Sequence, residues 1–361
     1  MNFDFTDDQQ AIKRTAREFL EARYRGGVVR ELVDDARGFT DAQWHEIAEL
    51  GWPGVIVPEE YGGLGLGALE LVVIEEELGY SLAPSPLLST IAAELLLIAA
   101  GSAEQRRRWL PSLAAGEVRG TLAVYDEGAG WAPGESGLHA AGDGTLTATK
   151  VAVPDAGAAQ LLVIAAAGGR HFLVEADAPG VTISAQEPVD RTRKLHRVEL
   201  CSAPAEPLPE GADGTVELAY ATIVTALAAE SVGVGQRTME MAVAYAKERA
   251  QFDRPIGSYQ AVAHRCAQML LEVEGARSLT YGAAWAIDHD RETAVRAASM
   301  AKAYAGEAGY RVSASALQVL GGIGFTWEHD LHLFLKRAVA NAHAFGDGRW
   351  HRERVVALAG V

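Results

Sequence analysis

The fold and the chemistry of this chain are decided by two stretches, Leu317-Gln318-Val319-Leu320-Gly321-Gly322-Ile323-Gly324-Phe325-Thr326 and Arg249-Ala250-Gln251-Phe252-Asp253-Arg254-Pro255-Ile256. Each stretch ends a long, alanine-rich run with helical spacing. The second stretch supplies a fixed cation and an aromatic ring. The first supplies an amide side chain and two adjacent glycines, which let a backbone approach a phosphate closely. The pair therefore predicts long helices whose ends can meet a phosphate-bearing ligand.

The composition excludes several classes of protein. The chain has 361 residues, and 49% of them are hydrophobic, which is enough for buried cores. Its net charge of −16 argues against nucleic acid and against an anionic membrane surface. Cys201 and Cys266 have no metal or redox spacing and are typical of free thiols in a reducing cytosol. Residues 1–5 lack the apolar core of a signal peptide, and residues 95–100 are too short to span a bilayer, so we expect a soluble, cytoplasmic protein.

The hydrophobic pattern changes twice along the chain and predicts three domains. Residues 1–117 have helical spacing, and Thr6 is expected to cap the first helix. Residues 118–209 contain short β-prone runs separated by Gly, Pro and Asp, typical of a small antiparallel barrel or sandwich. Residues 210–361 turn helical again, with long helices expected over 215–251, 262–289 and 292–320. We predict an α+β fold with an N-terminal helical domain, a middle antiparallel β-domain and a C-terminal four-helix bundle.

Three local features carry expectations of their own. Residues 69–78 predict a helix that ends at Gly79, and the three glutamates at 75–77 are expected on a solvated face. His329 and His332 have no third ligand nearby, so no metal site is expected. A stripe of small residues in the helix of residues 292–320 is expected to let helices approach closely and to mark contact with a second chain: Ala303, Gly306, Gly309, Ser313 and Ala316.

Several motifs resemble those of the acyl-CoA dehydrogenase family, flavoenzymes that oxidise the Cα–Cβ bond of acyl-CoA thioesters. The resemblance covers nearly the whole chain. It implies FAD as the cofactor, an acyl-CoA substrate and electron-transfer flavoprotein as the electron acceptor. The motifs are Pro58-Glu59-Glu60-Tyr61-Gly62-Gly63-Leu64-Gly65; Tyr245-Ala246-Lys247-Glu248-Arg249-Ala250-Gln251-Phe252 followed by Pro255-Ile256, Gln260-Ala261-Val262 and His264; and Gln318, Gly321, Gly322, Gly324 and Phe325.

The resemblance assigns cofactor binding to six residues, here called the nucleotide-side residues. It implies that they hold the adenosine pyrophosphate of FAD from a neighbouring subunit, across a dimer interface. The chemistry agrees, because arginine is always charged and reaches phosphate oxygens in a fork, and paired glycines let backbone N–H groups face the same phosphates. The nucleotide-side residues are Arg249, Phe252, Gln260, Gln318, Gly321 and Gly322.

The chain departs from the family pattern at two ring-side segments, which the resemblance places beside the flavin ring. Residues 124–131, Val-Tyr-Asp-Glu-Gly-Ala-Gly-Trp, stand where the family has threonine–glutamate–proline followed by glycine–serine. Residues 151–154, Val-Ala-Val-Pro, stand where tryptophan–isoleucine–threonine packs on the ring. Both segments lose the hydroxyl donors expected at the ring edge. Asp253 also replaces the glycine that normally follows Phe252.

The catalytic base of the family has no counterpart at its usual positions. Most members carry a glutamate followed by glycine just after the last bundle helix, and Phe345 occupies that place here. Some relatives carry the base on the first bundle helix, where this chain has Ile223. Glu230 and Glu217 lie on that helix, about two turns from the expected position.

Asp347 is the best remaining candidate for a catalytic base in this chain. Phe345 and Trp350 are expected to desolvate its carboxyl and to raise its pKa toward the range useful for removing an α-proton. The alternative is an exposed turn aspartate, which the sequence Gly-Asp-Gly favours. His343 and His351 flank this segment and are expected to be solvated.

Three functional hypotheses follow. The chain is one subunit of an α2β2 acyl-CoA dehydrogenase, with the base and the ring contacts supplied by a paralogous partner, as in some bacterial relatives acting on steroid-derived CoA thioesters. Alternatively, it is a homo-oligomeric dehydrogenase whose base is Asp347 or a shifted glutamate. The third hypothesis is a non-catalytic flavin-binding or scaffold protein.

Overall fold

The structure, a computed structural model, describes residues 5–24, 27–130, 136–139, 144–209 and 214–360. Its helices are α1 (Asp7–Arg23), α2 (Val28–Asp34), α3 (Asp41–Glu49), α4 (Ala68–Ser81), α5 (Leu87–Ala100), α6 (Ala103–Ala114), α7 (Thr215–Glu248), α8 (Gln260–His289), α9 (Arg291–Leu320), α10 (Leu331–His343) and α11 (Gly348–Ala359). Its strands are β1 (Gly120–Ala123), β2 (Tyr125–Asp126), β3 (Thr145–Pro154), β4 (Leu161–Ala165), β5 (His171–Glu175), β6 (Val181–Gln186), β7 (Leu195–Pro204), β8 (Glu206–Pro207), β9 (Ala250–Gln251) and β10 (Arg254–Pro255).

The order of helical, β and helical segments along the chain is the predicted one, so the predicted fold class is confirmed. By its internal contacts the chain forms two compact units. The helical unit comprises Met1–Val29, Val72–Ala83 and Val224–Val361, and the β-containing unit comprises Arg30–Leu71 and Pro84–Ile223. The domain limits 1–117, 118–209 and 210–361 stay a prediction.

The β-containing unit has two four-stranded sheets, in the orders β1-β4-β5-β8 and β2-β3-β7-β6. Their pairings are antiparallel, as predicted, apart from β1 and β4, which run parallel with Gly120 opposite Leu161. The parallel pair arises because the chain leaves β1 for β2 and β3 in the other sheet before it returns as β4. Apolar side chains of both sheets form one core, with Leu146, Leu162 and Val198 fully buried.

The helical unit is built around three long helices, as predicted. α7, α8, α9 and α10 share a core that is rich in alanine, in which Val232, Val273 and Val312 are buried. α8 and α9 are joined by Asp290 alone and therefore lie antiparallel. α7 is long and apolar enough to cross a bilayer, but 89% of its apolar stretch is buried inside the protein. At the other end of the chain, Thr6 caps α1 in a capping box with Gln9, which confirms that expectation.

Gly79 does not end a helix, because α4 continues to Ser81. The expectation of a helix end at Gly79 is therefore wrong, and the glycine has a different role. A Cβ at Gly79 would lie 2.1 Å from the carbonyl oxygen of Glu230 on α7, and a Cβ at Gly233 would lie 1.9 Å from that of Glu76 on α4. Both glycines are needed because the two helix backbones touch there.

The glutamates at 75–77 are buried rather than solvated, which corrects the second expectation: Glu75, Glu76 and Glu77 are 2%, 2% and 0% exposed. Lys13 and Arg277 reach Glu76 at 3.1 Å and 3.3 Å, and Arg17 pairs with Glu77. Burial nevertheless raises the pKa of the Glu77 carboxyl above its usual value, against the opposing effect of Arg17. Cations from α1 and α8 thus take the place of the water that was expected to solvate these carboxylates.

The stripe of small residues on α9 packs within the unit, so it does not mark a surface for a second chain. All five stripe residues are buried. A Cβ at Gly306 would lie 3.2 Å from Cα of Ala342, and one at Gly309 would lie 3.3 Å from the carbonyl oxygen of Ser231. The stripe therefore sets the spacing of α9 from α10 and α7.

We predict that Glu94→Leu stabilises the protein at neutral pH. Glu94 on α5 is fully buried, neither carboxyl oxygen has a hydrogen-bond partner among the described residues, and burial raises its pKa well above 4.5. The unfolded chain loses this proton above about pH 4.5 while the folded chain keeps it, so the free energy of unfolding falls as pH rises through that region. Removing the unsatisfied group should add about 1–3 kcal/mol at pH 7.

Urea unfolding at pH 4 and pH 7 measures this effect. The gain from Glu94→Leu should be larger at pH 7 than at pH 4. Glu104→Leu, at an exposed position of α6, is the matched control and should change stability little at either pH. A loss of stability for Glu94→Leu at pH 7 would contradict the interpretation and would mean that a bound partner satisfies the carboxyl.

Candidate functional site

A hairpin after α7 carries the first two nucleotide-side residues. β9 and β10 pair with Arg254 opposite Gln251, and Phe252 and Asp253 form the turn between them. Arg249 is exposed and has no carboxylate partner among the described residues. The side chain of Phe252 is 89% exposed. The hairpin therefore presents an unpaired guanidinium and a bare aromatic ring to its surroundings.

A glycine turn after α9 carries three more of the nucleotide-side residues. Gln318 is exposed in the last helical turn, and Gly321 ends the helix with φ 63° and ψ −140°, a conformation open only to glycine. A Cβ at Gly321 or Gly322 would meet no atom within 4 Å. This turn leaves open space beside the backbone, as the approach of a phosphate requires.

The architecture of α8 and α9 brings these two segments to the same end of the helical unit. Each helix has 30 residues, about 45 Å, and the two are antiparallel. Gln260 at the start of α8 therefore lies at the same end as Gln318 near the finish of α9. Since the hairpin runs directly into α8, all six predicted residues gather there. Their exposed donors and ring fit a pyrophosphate with an aromatic base, which is the chemistry expected of the adenosine half of FAD.

The turn where the family carries its base has no buried carboxylate here. Phe345 is buried with φ 57°, and its carbonyl oxygen lies 3.0 Å from Nε2 of His351. Asp347 is exposed and caps α11, where its carboxylate accepts the backbone N–H of Trp350 at 2.8 Å. That hydrogen bond lowers the pKa of Asp347, so the expected rise in its pKa is wrong. The capping geometry keeps the carboxyl in water instead of burying it between aromatic rings.

A buried lysine lies beneath this turn. Lys302 on α9 is 1% exposed, and its Nζ donates to the carbonyl oxygens of Ala342 at 3.2 Å and Gly346 at 3.1 Å. Burial lowers the pKa of Lys302 to about 7. His351 is fully buried as well, which corrects the expectation that it is solvated, and burial lowers its pKa to about 3. The turn is thus tied to its own helices by two donors.

The shifted glutamates do not provide a free base either. Glu230 is buried and forms an ion pair with Arg337, which is equally buried. A carboxylate held by a buried guanidinium already has its partner and is closed off from a substrate. Glu217 is exposed at the start of α7. These positions are typical of structural ion pairing and of a solvated helix end.

The ring-side segments pair with each other within the β-containing unit, where Tyr125 of β2 lies opposite Val151 of β3. The buried ammonium of Lys150 donates to the carboxylate of Asp126 and lies 3.2 Å from Oγ of Ser136. Ser136 itself donates to Asp126 at 3.0 Å. On β3, Ala152 has φ 51°, and its backbone N–H donates to the side-chain oxygen of Gln186 at 2.7 Å. Trp131, the last residue of the first segment, lies outside the described residues.

Sequence reasoning missed the two buried lysines. Lysine is normally solvated, and a single sequence does not show which carbonyl or carboxylate receives an ammonium. A signal does exist for Lys302, because it lies four residues after Ala298 and four before Gly306, on the same buried stripe of α9. Lys150 carries no such signal, because its strand alternates irregularly between buried and partly buried positions.

Sequence profiles and curated relatives match the chain over most of its length. The profile of the acyl-CoA dehydrogenase N-terminal domain matches residues 6–117, and that of the C-terminal domain matches residues 225–358. The acyl-CoA dehydrogenase IpdE2 of Mycolicibacterium smegmatis is 30% identical over 98% of this chain and 99% of its own length. Acyl-CoA dehydrogenase FadE34 of Mycobacterium tuberculosis is 35% identical over 99% of this chain, which spans about half, 49%, of that protein.

Solved structures give the same result. The Tcur3481-Tcur3483 steroid ACAD variant superposes with a TM-score of 0.90 at 31% identity and 98% coverage of both chains. The ChsE4-ChsE5 complex from Mycobacterium tuberculosis superposes with a TM-score of 0.88 at 28% identity, covering 100% of this chain and 99% of the other. The fold is therefore a known architecture, and the chain belongs to the acyl-CoA dehydrogenase family of FAD-dependent oxidoreductases acting on CH–CH bonds.

Proposed function

We propose that this chain is one subunit of an α2β2 acyl-CoA dehydrogenase and supplies the nucleotide side of a flavin site that it shares with a paralogous subunit. The observation that carries the proposal is a contrast. The nucleotide-side residues are exposed, apart from the half-buried Gly321, and their side chains have no hydrogen bond or ion pair to other described residues. The ring-side segments, in contrast, pair with each other in β2 and β3, and the base position holds Phe345. This chain therefore has the groups expected to bind the nucleotide, but it lacks the ring contacts and the base expected of the family.

The roles of this chain's residues follow from their chemistry. Arg249 would bind the pyrophosphate of FAD, the backbone N–H groups at Gly321 and Gly322 would face the same group, and Phe252 would pack against an aromatic face. When bound, FAD would supply the acceptor for the hydride that leaves the substrate Cβ. The α-proton needs a carboxylate base, and a phenyl ring at position 345 cannot accept it. The base is therefore assigned to the partner subunit.

The names of similar proteins support both the assembly and the substrate class. The ChsE4-ChsE5 structure is a complex of two differently named proteins, and the Tcur3481-Tcur3483 enzyme is described as a steroid ACAD. We extend this to a steroid-derived or related bulky acyl-CoA as substrate. By the family resemblance we assign electron-transfer flavoprotein as the acceptor, and by the free thiols a cytoplasmic location.

A second candidate is a homo-oligomeric enzyme with Asp347 as its own base. It is favoured by the exposed carboxylate of Asp347, which lies between two glycines in the turn that bears the base in relatives. Its lowered pKa weighs against it, because a base of low pKa takes an α-proton poorly.

Co-expression with a paralogous acyl-CoA dehydrogenase that has an acidic residue at the missing base position tests the assembly. We expect a heterotetramer that contains two FAD molecules. A complete flavin site would need the nucleotide side of this chain and the ring side of its partner, and two of the four potential sites would combine them. Mass photometry and the flavin-to-protein absorbance ratio measure both numbers. A homotetramer of this chain alone with four FAD molecules and full activity would overturn the proposal.

We predict that Arg249→Ala or Gln318→Ala weakens FAD binding by about ten- to a hundredfold and leaves the fold unchanged. Each variant removes one hydrogen-bonding contact to the cofactor, a loss of roughly 1.5–3 kcal/mol where the contact is charge-assisted. Equilibrium titration of the flavin-free assembly with FAD gives the affinity, and circular dichroism checks the fold. Arg14→Ala, at an exposed arginine of α1, is the matched control. Stoichiometric FAD in both purified variants would remove the basis of the assignment.

Asp347→Asn separates the two candidates for the base. Asparagine caps a helix as well as aspartate does, so the variant keeps the start of α11 and removes only the proton acceptor. If the partner supplies the base, acyl-CoA-dependent flavin reduction in the assembled enzyme should stay within about twofold of the wild type. Stopped-flow absorbance at unchanged flavin content measures the rate. A loss of about a hundredfold or more would make Asp347 the general base.

A further inference from the structure

The turn of the hairpin holds a strained backbone at two consecutive residues. Phe252 has φ 52° and Asp253 has φ 61°, both in the left-handed region. A two-residue hairpin turn of this kind normally contains asparagine or aspartate followed by glycine, because glycine adopts positive φ without a steric penalty. Here a bulky aromatic residue and an aspartate occupy the two positions. Such conformations persist only where the surrounding structure enforces them.

Two contacts with Tyr259 enforce this turn. The hydroxyl of Tyr259 donates to the carbonyl oxygen of Gln251 at 3.0 Å, directly before the turn. The guanidinium of Arg254, directly after the turn, lies 3.9 Å from the centre of the Tyr259 ring, in cation–π geometry. Tyr259 is the N-cap residue of α8, so both sides of the turn are fixed to the start of a 30-residue helix.

We propose that Tyr259 and Arg254 are positioning residues that hold the hairpin in its flavin-binding shape before the cofactor arrives. The inference rests on the proposed function of the hairpin as a nucleotide-side element. The brace, meaning the contacts of Tyr259 with Gln251 and with Arg254, keeps the ring of Phe252 extended into solvent, where it is 89% exposed. A flexible hairpin would instead fold such a ring against its own surface. It also fixes the path of the backbone from Arg249 to Ile256, which is closed by the 2.7 Å bond from the N–H of Ile256 to the carbonyl oxygen of Arg249.

A preformed hairpin binds its ligand more tightly because less conformational freedom is lost on binding. The brace touches neither the pyrophosphate donor nor the aromatic contact directly, so its effect on affinity must pass through the shape of the hairpin. This distinguishes Tyr259 and Arg254 from Arg249, whose removal deletes a contact with the ligand itself.

Three variants of the complete assembly test the inference. Tyr259→Phe removes the hydroxyl but keeps the ring for Arg254, Tyr259→Leu removes both contacts, and Tyr310→Phe removes a hydroxyl on α9 that has no hydrogen-bond partner among the described residues. Two quantities are measured on flavin-free protein: the hydrogen-exchange rate of the backbone amides of residues 250–256, and the dissociation constant for FAD.

The expected results are graded. Tyr259→Phe should weaken FAD binding about three- to tenfold, the effect of one neutral hydrogen bond, and Tyr259→Leu should weaken it further. Both should speed amide exchange in residues 250–256 in the absence of FAD, and Tyr310→Phe should change neither quantity.

Each contrary result is informative. If Arg249→Ala weakens FAD binding but Tyr259→Phe changes neither exchange nor affinity, the positioning role is wrong and the proposed function stands. Faster exchange in Tyr259→Phe without a loss of affinity also overturns the positioning role. If neither Arg249→Ala nor Tyr259→Leu affects FAD binding, the proposed function and the inference that rests on it both fail.

Discussion

The helical unit depends on the crossing of α4 and α7, where two glycines let the helix backbones touch. A Cβ at either Gly79 or Gly233 would lie about 2 Å from a carbonyl oxygen of the opposite helix, a distance that no side-chain rotation can relieve. An approach this close leaves no water beside the glutamates at 75–77 of α4. Buried carboxylates must be paired or protonated, so cations from α1 and α8 converge on Glu76 and Glu77. The close contact at the two glycines thereby fixes the positions of α1, α4, α7 and α8.

The long helices α8 and α9 extend from that crossing to the hairpin and the glycine turn. Because a single residue, Asp290, joins two helices of equal length, the beginning of α8 and the finish of α9 lie side by side whatever their side chains are. The hairpin and the glycine turn are placed by this geometry, and Tyr259 then fixes the hairpin in detail. The residues that contact a ligand can therefore be few and exposed, since the helices behind them provide the rigidity.

Periodicity and capping rules were sufficient for the helices, because both depend on residues that are close together in sequence. The nucleotide-side residues were assigned by the family resemblance, and their role stays a prediction. Thr6 and Gln9 form their capping box within four residues, and the limits of α7, α8 and α9 follow from helical spacing. The failures at Gly79 and Lys302 involve partners distant in sequence, whereas the failure at Asp347 is local. Gly79 looks like a helix end until α7 is placed against it, and Asp347 looks desolvated until α11 is seen to begin at the next residue. No local rule could show that Nζ of Lys302 would donate to the carbonyl oxygen of Gly346, 44 residues further along the chain.

Three exposed aromatic rings lie in the hairpin and just after α9, and their burial sets the apolar contribution that this surface could make to the proposed assembly. Phe252, Phe325 and Trp327 are 89%, 69% and 63% exposed. Burying all three would contribute roughly 5–9 kcal/mol. Association of two proteins costs about 4–15 kcal/mol in lost freedom of motion. The rings alone therefore only about balance that cost, so the proposed assembly would need further contacts, to which a bound nucleotide would contribute. The backbone strain at Phe252 and Asp253 is offset in the proposed assembly, because a hairpin that is already rigid loses less conformational freedom on binding.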